Sequence, residues 1–181
     1  MVYMFLADGF EEIEALCPLD VMRRAGIDVT TVGVNRKNVL GAHGIEVVAD
    51  ITVNEFDAAD LDMIILPGGM PGTVNLEHSA VCLSAIRTAA LKGRYVAAIC
   101  AAPSILGKLG LLEGKEAVCY PGFEDELKGA RVLDCGVCVD GNVITAAGMG
   151  VALEFGLTLV ELLKGKETAA KIFTAVQAHK R

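Results

Sequence analysis

Cys100 stands between a short apolar run, Val96-Ala97-Ala98-Ile99, and the segment Ala101-Ala102-Pro103-Ser104-Ile105-Leu106. A thiol at such a strand-to-helix corner is lifted out of a sheet and presented to a cleft, the arrangement of a nucleophile elbow. A helix beginning at Ala101 would aim unpaired N–H groups and its positive dipole end at the sulfur, favouring thiolate over thiol. Ala98, Ala101 and Ala102 are small enough to permit a sharp turn and the approach of a substrate. The competing reading is an inert core cysteine, since cysteine is among the most buried residue types.

Two other stretches carry chemistry. Asp8-Gly9-Phe10-Glu11-Glu12-Ile13-Glu14 holds several carboxylates where a first strand gives way to a helix. Acidic side chains in a first turn complement the helix dipole, which is their plainest use. Pro67-Gly68-Gly69-Met70-Pro71-Gly72 is a glycine-rich loop of the kind that lets backbone approach a ligand. It lacks the Lys-Ser/Thr of a phosphate loop and the spacing of G-x-G-x-x-G, so no nucleotide cofactor is expected.

The six cysteines, Cys17, Cys82, Cys100, Cys119, Cys135 and Cys138, are scattered and read as reduced thiols rather than a disulfide framework. Cys135-x-x-Cys138 has motif spacing but no second ligand pair, and His43, His78 and His179 are remote in sequence, so no metal site is expected. Alternation from Val132 to Val139 predicts one strand with the two cysteines on opposite faces, poorly placed as a redox pair.

The elements that must position these residues alternate between strand and helix. Val2 to Leu6 reads as a strand, followed by a Glu-rich helix to Ala25 that Gly26 ends. Asp28 to Val34 is a second strand, and Gly44 to Ala49 an excursion off the main sheet. Met63 to Leu66 is the clearest strand. Ser79 caps a helix reaching Lys92, with Val81, Ala85, Ala89 and Leu91 on its apolar side. Val96 to Ile99 is followed by a helix from Ala101 to Leu109, and Val137 to Ile144 is a hairpin with Asp140-Gly141 at its turn. Helices over Leu153 to Leu163 and Lys166 to Ala178 complete the chain. The pattern predicts an α/β domain with a mostly parallel sheet, ligands binding beyond the carboxyl ends of the strands.

With 181 residues and 53% hydrophobic content, the chain can bury one sizeable core, so residues 1–181 are expected to form a single domain. A net charge of −7 argues against nucleic acid or an anionic membrane surface as the main partner. The apolar opening is interrupted by Asp8, and no apolar run approaches the roughly 18–20 residues of a spanning helix. A soluble, cytoplasmic protein without a secretory leader is expected.

The stretches LPGGMPG, AAICAAPSIL, ADGFEEIEA, DVMRRAGI and ALEFGLTLVELLKGKETA, in consistent order from Met4 to about Val176, resemble the ThiJ/PfpI superfamily. The closest branch is the one containing the parkinsonism-associated protein deglycase. The resemblance implies a flavodoxin-like three-layer sandwich and a homodimer. It implies that Cys100 is the elbow nucleophile and Glu14 its partner carboxyl, with the N–H groups of Gly69 and Ala101 as oxyanion donors. Gly68, Tyr120 and Met149 fall in the implied pocket. The apolar Val21-Met22 ahead of Arg23-Arg24 is read as surface available to a dimer.

Several departures from the family pattern bear on chemistry. The peptidase branch has a histidine directly after the elbow cysteine where this chain has Ala101, which disfavours a cysteine peptidase. An amidotransferase would need a distal His and Glu pair, and no histidine is suitably placed. Tyr120 stands where some relatives place a pocket histidine, and a phenol is no base near neutral pH. Gly148-Met149-Gly150-Val151 replaces a common Gly-Pro-Gly-Thr, altering the pocket wall. The resemblance therefore implies a metal-free and cofactor-free enzyme acting on methylglyoxal, glyoxal or their protein adducts through a Cys100 hemithioacetal. The alternative is an oxidative-stress sensor or redox-regulated chaperone in which Cys100 is oxidised to sulfinate.

Overall fold

The apolar runs become adjacent strands because each is too hydrophobic on both faces to lie at a surface. The computed structural model describes residues 1–179. In chain order it contains β1 (Val2–Leu6), α1 (Glu12–Arg24), β2 (Val29–Gly33), β3 (Asn38–Leu40), β4 (Glu46–Val48), β5 (Ile51–Thr52) and β6 (Met63–Leu66). There follow α2 (Gly72–Glu77), α3 (Ala80–Leu91), β7 (Tyr95–Ile99), α4 (Pro103–Lys108), β8 (Glu116–Ala117), β9 (Arg131–Val132), β10 (Val137–Asp140), β11 (Val143–Ala146), α5 (Ala152–Lys164) and α6 (Lys166–Ala175).

Seven strands form the main sheet in the order β10-β11-β7-β6-β1-β2-β5, parallel throughout except for the β10–β11 hairpin. Strand alternation divides the core in two. Met4, Leu6, Met63, Ile65 and Ile99 meet Leu19 and Met22 of α1 and Phe155 and Leu159 of α5. Phe5, Ile64, Leu66, Val96 and Ala98 meet Cys82 and Ile86 of α3 and Ile105 and Leu106 of α4 on the other face. This is the expected flavodoxin-like sandwich. The expected excursion is the separate β3–β4 hairpin. No helix among the described residues is long and apolar enough to cross a membrane.

Several local expectations are corrected. Val21 and Met22 are buried in the chain's own core against α5, so they offer no surface to a partner. On α3, Ala85 and Ala89 do face inward, joined by Cys82 and Ile86, whereas Leu91 is almost fully exposed and Val81 lies at the surface. The helix after Cys100 starts at Pro103, because Ala101 and Ala102 are spent in the turn. Residues 132–139 are not one strand: β9 pairs with β8 in a side sheet and β10 pairs with β11 at the edge of the main one. Asp134 to Gly136 carries the chain between them, so alternation does not relate Cys135 to Cys138 across that bend. The hairpin register pairs Asp140 with Val143, which makes Gly141-Asn142 the two-residue turn. Gly141 takes the positive φ of +61° that a first central position of a type II′ turn demands.

Candidate functional site

The carboxyl ends of β1, β6, β7 and β11 lie side by side, and the loops leaving them meet. Cys100, the first residue beyond β7, has φ +66°, a conformation that non-glycine residues rarely adopt. Such strain costs about 1–3 kcal/mol and persists only where the surroundings impose it. Here the Cys100 N–H donates to Ala146 O at 2.8 Å and its carbonyl accepts from Tyr120 N–H at 2.8 Å, fixing the elbow from both sides.

The glycine loop closes the opposite wall. Gly68 N–H donates to Glu14 Oε2 at 3.0 Å. A Cβ on Gly68 would lie 2.6 Å from Glu14 Oε2 and 2.7 Å from Cys100 Cβ, so carboxylate and thiol flank the same bare backbone. Gly69, at φ +90°, passes against the Glu11 N–H where any side chain would collide. Its own N–H and that of Ala101 lie near enough to Cys100 to favour its thiolate. These are the two donors expected from the resemblance, and they converge on the thiol.

Glu14 is buried at the start of α1. Burial pushes its carboxyl up to about 7, against hydrogen bonds from Cys100, Gly68 N–H and Met149 N–H, while the neighbouring Glu11 charge adds to the rise. The Cys100 thiol is pushed up to about 12, by burial first and then by the charge and hydrogen bond of Glu14, against the N–H groups of Ala101 and Gly69. The expected lowering of the thiol by a helix end is thus overturned as a net effect. Desolvation and an adjacent carboxylate outweigh the backbone donors, and α4 is a helix of only 6 residues that begins beyond the turn. Both groups rising has one physical meaning: burial and mutual repulsion make the pair resist carrying two negative charges.

The remaining pocket positions are also adjacent. A Cβ on Gly148 would lie 3.2 Å from the Tyr120 ring and 3.9 Å from Glu14 Oε1, so this glycine lies between phenol and carboxyl. Met149 contributes its N–H to Glu14 while its side chain faces solvent. A groove of about 870 Å³ between α5 and α6, lined by Leu157, Ala170 and Phe173, shares no residue with this cluster.

The acidic stretch divides into three tasks. Glu11 is the N-cap of α1, accepting from Glu14 N–H at 2.7 Å. Glu12, two residues from Glu14, accepts from the His43 N–H at 2.7 Å and meets His43 Nδ1 at 2.8 Å. Only Glu14 reaches Cys100. Glu11, Glu12 and His43 bring ligand atoms within 4.8 Å of one another, but the cap and the ion pair already employ those atoms. Sequence reasoning missed the Glu12–His43 pair because the partners are 31 residues apart and joined only by the β3–β4 hairpin.

Comparison with known proteins fits this arrangement. Residues 1–162 match the model of the DJ-1/PfpI family. Protein DJ-1 homolog B of Arabidopsis thaliana is 41% identical over 170 residues, covering 92% of this chain, and the chain spans only 39% of that relative's length. A glutathione-independent glyoxalase of Caenorhabditis elegans is 34% identical over 87% of this chain and 84% of its own. A deglycase of Pyrococcus horikoshii is 33% identical over 91% of this chain and 100% of its own. The structure of oxidized DJ-1 from Toxoplasma gondii superposes with a TM-score of 0.95 at 36% identity, covering 99% of this chain and 98% of that one.

Proposed function

Because the chain belongs to the DJ-1/PfpI family, with curated relatives named as a glyoxalase and a deglycase, we propose that it is a cysteine enzyme acting on reactive aldehydes or their adducts. The observation that carries this reading is the convergence of the buried Glu14 carboxyl and the Cys100 side chain on the bare Gly68 backbone at the strained elbow. With the proton on Glu14, the thiolate attacks the aldehyde carbon of a 2-oxoaldehyde. A C–S bond forms, and the carbonyl π electrons move to oxygen, which Glu14 protonates to give a hemithioacetal.

Glu14, now a carboxylate, takes the C1 proton and returns it at C2, so that C1 is oxidised as C2 is reduced within the same molecule. The product is a thioester, and the Gly69 and Ala101 N–H groups are placed to steady an oxyanion as water cleaves it. The sum is aldehyde plus water giving a 2-hydroxy acid, with the thiol regenerated. No step requires a metal or a redox cofactor. With a glycated amine or thiol, the Cys100 sulfur bonds the adduct carbon as its C–N or C–S bond breaks, and Glu14 protonates the departing nitrogen or sulfur, leaving the same hemithioacetal.

Lactate formation from methylglyoxal by the purified protein without added glutathione tests the reading. Turnover is expected in the parent chain and none is expected in Cys100→Ser; retained turnover in that variant overturns it.

The sensor reading rests on the same donors, which can hold the oxygens of a sulfinate as well as an oxyanion. Two equivalents of peroxide would each transfer one oxygen to the sulfur and leave as water. Peptide mass mapping after a peroxide titration is expected to find the 2-oxygen adduct at Cys100 first, and first modification at Cys135 or Cys138 overturns it. No homodimer interface can be built on Val21-Met22, and self-association is tested by light scattering, which is expected to return twice the chain mass.

A further inference from the structure

An isolated exposed apolar side chain needs no explanation, as Leu91 on the outer face of α3 illustrates. Met70, Tyr120 and Met149 are different. Each is about half exposed, each lies on a separate loop, and each is tied by neighbouring backbone to the reacting pair. Met70 follows Gly69, whose N–H lies near Cys100. Met149 donates its N–H to the Glu14 carboxyl. Tyr120 donates its N–H to the Cys100 carbonyl at 2.8 Å, and its ring stands beside Gly148 next to Glu14.

The charge around the pair completes the picture. The nearby charge acting on Glu14 is that of Glu11, and the one acting on Cys100 is that of Glu14, both negative. An anionic substrate would be repelled by this acidic pair, while an apolar substituent would remove thioether and phenol surface from water.

We propose that Met70, Tyr120 and Met149 form an apolar rim that makes this site selective for neutral carbonyl compounds bearing an apolar or aromatic substituent, against anionic ones. As a statement about substrates, this rests on the enzyme reading above. As a statement about access to the Cys100 sulfur, it stands alone, and the two can be tested separately.

Access is read from alkylation of Cys100 in the full-length protein by iodoacetamide, N-phenyl iodoacetamide and iodoacetate, followed by peptide mass. Each rate is divided by that of a free small thiol at the same pH. The N-phenyl reagent is expected to gain about fivefold or more over iodoacetamide, less than the roughly tenfold or greater effect of an enclosed apolar pocket because the rim is half open. Iodoacetate is expected to lose about fivefold, as a like charge approaching within a few ångströms of the pair. In the double variant Met70→Ser/Tyr120→Ser the N-phenyl advantage is expected to vanish, whereas Leu91→Ser keeps it.

Reagent ratios equal to those of the free thiol in the parent chain overturn the rim, and so does an N-phenyl advantage that survives the double variant. The substrate statement is read from kcat/KM for phenylglyoxal, methylglyoxal and the anionic 2-oxoaldehyde 4-carboxyphenylglyoxal, expected to fall in that order. Selective alkylation with no turnover of any 2-oxoaldehyde leaves the rim standing and overturns the enzyme reading. Turnover of 4-carboxyphenylglyoxal ahead of phenylglyoxal overturns the selectivity and leaves the enzyme.

Discussion

Glu12 and Glu14 lie in the same turn of α1, both buried, and their carboxyls are driven in opposite directions. Burial raises each. At Glu12 it is more than offset by the His43 side chain and by the His43 and Ile45 N–H groups, so the carboxyl falls below its ordinary value and His43 rises above its own. At Glu14 the facing group is a thiol that competes for the same proton, and the carboxyl rises to about 7. Residue type and helix position are shared; the partner supplied by a distant segment decides whether a buried carboxyl is a fastening or an acid. Glu12 holds the β3–β4 hairpin to α1, and Glu14 is placed to move protons.

The largest expected effect separates the two by activity. Glu14→Gln keeps a hydrogen-bond donor but removes the exchangeable acid, so 2-oxoaldehyde turnover is expected to fall about 100-fold or more. Cys100 is expected to remain open to iodoacetamide. Glu12→Gln is expected to keep turnover within about threefold of the parent, outside the range of a lost general acid. Equal losses in the two variants would erase the distinction.

Glycine-to-alanine changes press on the same two carboxyls. A Cβ at Gly68 meets Glu14 Oε2 at 2.6 Å, Cys100 Cβ at 2.7 Å and Ile99 O at 2.9 Å, and the last two cannot swing aside. Gly68→Ala is expected to cost about 1–3 kcal/mol in denaturant unfolding, as overpacking does, and to lower turnover. The three atoms nearest a Cβ at Gly41 all belong to the Glu12 side chain, which is not backbone and can shift, so Gly41→Ala is expected to cost less and to spare turnover. A larger loss in Gly41→Ala would reverse the ranking.

The pH dependence of stability sharpens the contrast further. The unfolded carboxyl of Glu14 titrates near its ordinary value of 4.5 and the folded one at about 7, so the folded chain retains an extra proton between those two pH values. That contribution is complete below about 4.5 and is lost as pH rises through about 7, up to about 3 kcal/mol in all. Glu14→Gln is therefore expected to match the parent in acid and to exceed its Tm at pH 8. A parent chain whose stability relative to the variant does not decline over that window would contradict it.

The smallest effect belongs to the clasp. The raised His43 contributes stability fully below its ordinary 6.5 and loses it as pH climbs through its folded value. The lowered Glu12 contributes above 4.5 and loses it as pH drops through its folded value. The pair is thus strongest between about 4.5 and 6.5, a window bounded by the two unfolded values. His43→Ala is expected to speed amide exchange in the β3–β4 hairpin at pH 6 and to change it little at pH 9. Equal acceleration at both values would assign the effect to lost packing.

The parallel strands were legible because apolar runs ended by glycine or proline leave few other structures: Met63–Leu66 and Val2–Leu6 appear at their expected bounds. Tertiary contacts spoiled the expectations where periodicity was the only guide. Val21 and Met22 look like surface ahead of two arginines, yet α5 covers them. Alternation carried Val132 to Val139 through as one strand because pattern alone cannot register a change of sheet.

By itself the sequence determined the α/β order, the strand-to-helix corner at Cys100 and the glycine loop, because these follow from local sterics and short-range hydrophobic period. It placed Cys100 and Glu14 in one site only through resemblance. What tertiary structure alone decided is the state of the ionisable groups. A helix end suggests a lowered thiol, whereas Glu14 and burial raise it; three nearby glutamates look alike until Gly68, Cys100 and His43 arrive from 31 to 86 residues away. Desolvation and charge act through space, and the chain brings their sources together only when the sheet closes.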